Sequence, residues 1–299
     1  MFASISHRLN TFLLVLLVLM AGSIIAILAT RAGAGPLDPP APPAPTNRNI
    51  IFQPASCAGF PITISQPGSY TLGSNITMPC GCTFKDGIDT SASNVTLDLN
   101  GFTVTGLSSN SGSGIAAGAS TTNLRLSNGI VTTWSGDGID FTNASASSID
   151  QVTASGSANA SGIGLGAMSV LSDCVSNGNY TGVAVLGSDS TVKGCDLSND
   201  PSAGVFVGAS ASGVLMAGNH VTASGNAFKV AGELNIVEDN TSTNAVSPYY
   251  LLTITGIDNV AFHNSADILS GGSNYVPSND VGPIQSVSGG TSPWANTVP

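Results

Sequence analysis

From Ser93 onward, apolar and polar residues alternate with a period of two in short runs, and a glycine opens many of them. Gly138-Ile139-Asp140-Phe141, Gly162-Ile163-Gly164-Leu165, Gly182-Val183-Ala184-Val185 and Gly204-Val205-Phe206-Val207 share one form: glycine, then an apolar-x-apolar triplet. Gly114-Ile115 precedes the series and Ala227-Phe228-Lys229-Val230 follows it, and the steps are 24, 24, 20, 22 and 23 residues. Between these runs an apolar residue opens a second strand at Val95, Leu124, Ile149, Leu171, Val192, Leu215, Ile236 and Val260. No window carries apolar residues at helical spacing, so the pattern predicts strands.

Two short strands every twenty-odd residues, separated by turns, do not make a sandwich meander. A propeller blade needs about forty residues. The period fits a coil that rises one strand spacing per turn, which is a parallel β-helix. Asn128, Asp196, Asn219, Asn240 and Asn264 each fall four residues after an apolar anchor. Asn tolerates the left-handed conformation that a sharp corner requires, and stacked Asn side chains can bond one another's backbones.

Composition agrees with this reading. Only 8% of the 299 residues are charged, against 36 glycines, which points to turn-rich β-structure. A net charge of −10 with seven scattered basic residues argues against nucleic acid as a partner. Ahead of the repeats, Leu9 to Thr30 carries no charge, and Ala32-Gly33-Ala34 offers a small-x-small cleavage site. Residues 1–34 are therefore expected to be a signal peptide or an uncleaved N-terminal membrane anchor, the only membrane contact expected. Either form places the chain in a secreted or cell-surface location. Residues 35–56 form a Pro-rich spacer, residues 57–92 an N-terminal cap with the first strands, 93–276 the coil and 277–299 a C-terminal cap or tail.

SNVTLDLNGFTVTG (93–106) and NLRLSNGIVTTWSGDGID (123–140) resemble the first rungs of right-handed parallel β-helix repeat proteins of the pectin lyase-like superfamily. The resemblance covers roughly residues 60–275. The tail, with NDVGPI at 279–284 and PWAN at 293–296, is similar to the ends of exported bacterial members. It implies an all-β fold, a single right-handed parallel β-helix with an N-terminal cap, with chemistry on the outward face of a sheet.

Catalysis on such a scaffold needs charged residues on consecutive rungs, about 4.8 Å apart. Asp140 faces outward in a column that reads Ala116, Asp140, Gly164, Ala184, Phe206, Lys229, and Asp137 sits at the turn before the glycine. GDGID faintly resembles the first acidic motif of polygalacturonases, but the further acid pair, the Gly-His-Gly and the Arg-x-Lys of that family are missing. The second strand is expected to bring Arg125 and Asp150 together on neighbouring rungs, with Asp98 close by. The resemblance to pectate lyases would make Arg125 a base beside Ca²⁺ held by acids; an exposed ion pair is the structural alternative. Ca²⁺ takes six to eight oxygen ligands, and the sequence does not show them converging. Asp196, Asn199 and Asp200 in CDLSNDPS read as a turn, and His220 and His263 as loop residues.

Of the five cysteines, Cys57, Cys80 and Cys82 lie in the cap, where one disulfide would leave one thiol. Cys174 and Cys195 follow their anchors by three residues and are expected to stack on adjacent rungs. With Asn128, Asn219, Asn240 and Asn264 they are assigned structural roles. The function expected is a surface scaffold that presents a polar face to polysaccharide or cell-surface glycan. A lyase or hydrolase acting on acidic glycans, and a purely structural or adhesive rod, are the alternatives.

Overall fold

A computed structural model describes residues 48–109, 111–222, 224–243, 252–266, 274–275, 279–281, 284–286 and 296–298. The apolar N-terminal segment, most of the Pro-rich spacer and Trp294 lie outside these residues. Arg48–Pro299 is one compact unit. It is all-β apart from one 3₁₀ turn at Cys57–Gly59 among the described residues.

The chain winds into a right-handed parallel solenoid in which every strand pairs in parallel with its equivalent one turn on. The glycine-led strands form a ten-stranded sheet among the described residues. The remaining strands form a larger sheet that bends, because each full turn carries three strands rather than the two predicted. The third strand follows the anchor strand after a corner, as at Val175–Asn177, Asp196–Ser198, His220–Thr222 and Thr241–Thr243. The sequence hides it because Leu124–Thr132 and Ser148–Ser155 run through that corner as single long strands. We refer to the three sides as the glycine face, the anchor face and the hydroxyl face.

Each face sends side chains inward, apolar on the glycine and anchor faces and apolar with interspersed serines on the hydroxyl face. On the glycine face Ile88, Ile115, Ile139, Ile163, Val183 and Val205 lie one above another in register. The leading glycines are needed because a Cβ there would drive into the next rung. At Gly138 it would lie 2.7 Å from the carbonyl oxygen of Gly162, and at Gly162 2.8 Å from that of Gly182. Burial of each aliphatic side chain contributes about 1.5–3 kcal/mol, so the stacked columns are the main source of cohesion.

The anchor column differs from expectation in two places. Leu126, not Leu124, stacks on Ile149, because Leu124 and Leu126 both point inward and the register uses the second. Met216, Val237 and Ala261 are the buried members further on, so Leu215, Ile236 and Val260 face outward. In LMA, IVE and VAF an apolar residue stands on both sides of the strand. A one-residue slip exchanges the two faces, and local pattern alone does not choose between them.

All three corners follow one rule: a left-handed residue precedes a buried side chain that points into the coil. At the second corner Gln151, Asp173, Gly194, Gly218, Asp239 and His263 are left-handed. The buried residues that follow are Val152, Cys174, Cys195, Asn219, Asn240 and Asn264. Asn219, Asn240 and Asn264 thus form the amide ladder, whereas Asn128, with φ 60°, belongs to the left-handed column. The predicted corner class therefore splits into three adjacent positions, with Asp196 on the strand that follows the buried one. His263 is a corner residue, while His220 and Asp196 lie on strands of the hydroxyl face rather than in loops.

At the start of the coil Cys57 and Cys82 form a disulfide and Cys80 remains an exposed free thiol. Cys174 and Cys195 are free, buried and one rung apart. The hydrogen bond to Cys195, together with burial, pushes the Cys174 thiol well above its ordinary pKa.

Candidate functional site

Three outward surfaces are available for chemistry or binding, one on each face. On the anchor face the proposed catalytic trio does not assemble. Arg125 pairs across the sheet with Thr96 and Ser148, while Asp150 pairs with Ser127 and Ser172. The two charges are offset by one rung and two positions because Leu126 takes the anchor place. Asp98 lies in the Asp150 column two rungs away, and its carboxylate pairs with Arg48 at 3.0 Å. Arg48 is a partner that no local pattern in the chain points to. The Asp150 carboxylate accepts a hydrogen bond from Ser172 at 2.7 Å. This arrangement does not fit a Ca²⁺-assisted arginine base, and among the described residues no cluster of acidic, His or Cys side chains is gathered for a metal ion.

The glycine face carries the acids instead. Its outward column begins two rungs before Ala116 and runs Thr63, Asp89, Ala116, Asp140, Gly164. Asp86-Gly87-Ile88-Asp89 repeats the motif Asp137-Gly138-Ile139-Asp140. Two carboxyl pairs therefore stand two rungs apart, about 10 Å, with the small Ser113 and Ala116 between them. Asp86 accepts the backbone N–H of Ser113 at 2.6 Å, and Asp137 that of Ser161 at 2.7 Å. Each of these staples one turn to the next, which is a structural task.

The inner acids differ from each other. Asp140 accepts the Thr142 N–H at 3.1 Å and the Thr142 hydroxyl at 2.6 Å. Burial first, then the charge and hydrogen bond of Asp86, push Asp89 up to about 6. Burial also raises Asp137, against the lowering effect of its Ser161 hydrogen bond. The arrangement offers one carboxyl, Asp89, with its pKa raised to about 6, two rungs from Asp137 and Asp140. The repeated motif is visible in the sequence; its earlier copy escapes notice because it lies ahead of the regular repeats.

The hydroxyl face carries the longest uniform surface. One outward position on successive rungs reads Thr105, Thr132, Ser155, Asn177, Ser198, Thr222, Thr243. Seven rungs in a row thus present a hydroxyl or amide with no charge. Several of these groups bond along the column: Ser155 donates to Thr132 at 2.9 Å and Asn177 to Ser198 at 2.6 Å. The neighbouring column is mixed, with Ile130, Thr153, Val175, Asp196, His220 and Thr241. His220 lies 3.5 Å from Asp196.

Comparison with known proteins supplies the family. The sequence matches the family described as the right handed beta helix region over residues 86–242. A comparison with curated proteins gave no match. Among solved structures, the chain superposes on the Dettilon tailspike protein with a TM-score of 0.55 at 10% identity, covering 84% of this chain and 61% of that one. It superposes on the A-module of a mannuronan C-5 epimerase from Azotobacter vinelandii with a TM-score of 0.52 at 13% identity, covering 79% and 89%. The ORF18 protein of Geobacillus virus E2 gives 0.53 at 13% identity, covering 79% and 52%. At these identities the likeness is one of fold. The chain spans about six-tenths of the length of the tailspike.

Proposed function

The chain belongs to the right-handed β-helix family, and from that premise we propose that it is an exported, surface-associated rod that binds a polysaccharide along its hydroxyl face. The observation that carries the proposal is the uncharged column from Thr105 to Thr243, which repeats every rung at about 4.8 Å. Hydroxyl and amide groups in a row both donate and accept hydrogen bonds, which is what the hydroxyls of an extended glycan need. Net charge −10 favours a neutral glycan over a polyuronate, which would be repelled. Export is supported by the apolar run before Thr30 and the proline-dense stretch after it, residues 35–47 serving as a spacer, because the spacer expected over 35–56 ends where Asn49–Ile51 pairs with the coil. The epimerase superposition supports the suitability of the scaffold for glycans and nothing finer.

Retention of the protein on a panel of neutral and acidic polysaccharides, by affinity electrophoresis, tests the proposal. Replacement of Ser155, Asn177 and Ser198 together by alanine is expected to weaken binding about tenfold, the equivalent of one lost hydrogen bond or slightly more. A wild-type protein retained by no glycan would sink the reading.

A second reading rests on the two Asp-Gly-Ile-Asp pairs, which would suit hydrolysis of a glycosidic bond. Inverting hydrolases hold their carboxyls about 6.5–9.5 Å apart, with one acid kept protonated. In that case Asp89 would be the acid and Asp140 the base. The same panel, followed for new reducing ends with Asp89→Asn as control, decides between binding and turnover.

A further inference from the structure

The outward side of the anchor face carries an apolar stripe that the core does not use. Val170, Thr191, Leu215, Ile236 and Val260 are direct rung neighbours there, a line about 19 Å long. Val170 is 37% exposed and Ile236 39%, and the stripe is flanked at the corner by Met168 and Leu234, exposed by 57% and 60%. Leu215, Ile236 and Val260 are contiguous aliphatic neighbours, and an exposed line of this kind marks an interaction surface.

The column beside the stripe identifies the partner. It reads Ser172, Lys193, Ala217, Glu238, Phe262 on the same rungs. Lys193 lies one rung before Ala217 and Glu238 one rung after it. Neither side chain has an ion pair among the described residues. A two-fold axis parallel to the strands, passing over the Leu215–Ala217 rung, reverses the order of rungs and leaves positions along the strand unchanged. It sets Lys193 opposite Glu238 of a second copy, and Glu238 opposite the second Lys193. The apolar stripe then meets itself, with Thr191 against Ile236 and Leu215 against Leu215. A two-fold axis along the rod would instead press both charges against the neighbouring apolar column. Only the antiparallel arrangement satisfies the charges and covers the stripe.

We propose that this face joins two copies of the chain in an antiparallel, two-fold symmetric dimer centred on Leu215 and Ala217. Such an interface is isologous, so each favourable contact occurs twice. Its charge pairs set orientation while the aliphatic stripe supplies the burial.

Cysteine cross-linking of the full chain tests the proposal, in a background with Cys80→Ser to remove the exposed thiol. Ala217→Cys lies on the axis and is expected to form a disulfide-linked dimer under mild oxidation. Adding Lys193→Glu sets carboxylate against carboxylate twice and is expected to cut the cross-linked fraction at least about tenfold, as is Glu238→Lys, which sets ammonium against ammonium. Combining Lys193→Glu with Glu238→Lys restores both pairs and should return cross-linking to within about threefold of the parent. Far-UV circular dichroism of all variants should match the parent, because neither side chain reaches the core, while loss of the dimer lowers the melting temperature only by mass action. No cross-link through Ala217→Cys, a cross-link indifferent to the single charge reversals, or a double reversal that stays monomeric would each overturn the dimer.

Discussion

At the second corner of the coil, Asn219, Asn240 and Asn264 stack as neutral amides, whereas at the third corner Asn179 is followed by a carboxyl, Asp200. Both ladders use the side-chain oxygen alike: it accepts the backbone N–H of the equivalent residue one turn earlier. Asn240 takes that of Asn219 at 2.8 Å, and Asp200 that of Asn179 at 2.9 Å. They part at the second atom. The Asn240 amide nitrogen donates to the Met216 carbonyl at 2.9 Å, and that of Asn179 donates to Ala154 at 3.1 Å. Asp200 has an oxygen in that place, buried and without a hydrogen-bond partner among the described residues. A buried ladder therefore needs a donor on its inner side, and an ionised carboxyl supplies none. Burial pushes Asp200 up to about 8, against the lowering effect of its Asn179 bond, so the protein keeps a proton there.

The largest effect expected from this contrast is a pH dependence. In the unfolded chain Asp200 releases its proton near pH 4, while the folded chain holds it to about 8. The Asp200 contribution to stability is thus fully present below pH 4, is lost as pH rises from 4 through 8, and is level above that. Urea titrations across that window should show wild-type stability falling by up to about 1 kcal/mol per pH unit. Asp200→Asn completes the amide ladder and should remove that slope, gaining stability most clearly at pH 8 and above. A wild-type curve that is flat between pH 4 and 8 would erase the distinction between the two ladders.

Asn240→Ala strikes the intact ladder at its middle. It removes the acceptor for two Asn219 donors and the donor to Met216 and Asn264. Several buried groups lose their partners together, so a cost of about 3 kcal/mol is expected in equilibrium unfolding. Ser190→Ala, in the serine ladder of the first corner, should cost only about 1 kcal/mol. It deprives the Ser169 N–H of its acceptor at 3.1 Å and the Gly166 carbonyl of a donor at 2.8 Å. Equal losses at Asn240 and Ser190 would mean that the amide's second bond contributes nothing.

The residues themselves show how much of this was legible. The Gly-led triplets display their period openly because both inward positions are apolar and the glycine cannot be replaced without a clash. The anchor strands were ambiguous: Leu215-Met216 and Ile236-Val237 are apolar on both faces, and choosing the first of each pair reversed inside and outside. That same feature makes the exposed stripe. The third strand escaped because its inward residues include Ser176 and Ser242, polar side chains buried inside the coil, which break the apolar count. Asp86 and Asp89 escaped because they precede the regular repeats, although their motif matches that of Asp137 and Asp140.

Composition and period-two patterning determine the coil, since only a parallel solenoid stacks like residues at a step of twenty-odd positions and buries every apolar column. Register across rungs was decided by the tertiary structure, because a neighbour one turn away is chosen by the whole set of ladders and not by any local run. That register separates Arg125 from Asp150 and gives Arg48 to Asp98. It also aligns the Thr105–Thr243 hydroxyls and leaves Asp200 protonated in the dark interior of a corner. The chain spells out what stacks; which side chains meet depends on loop lengths that only the closed coil adds up.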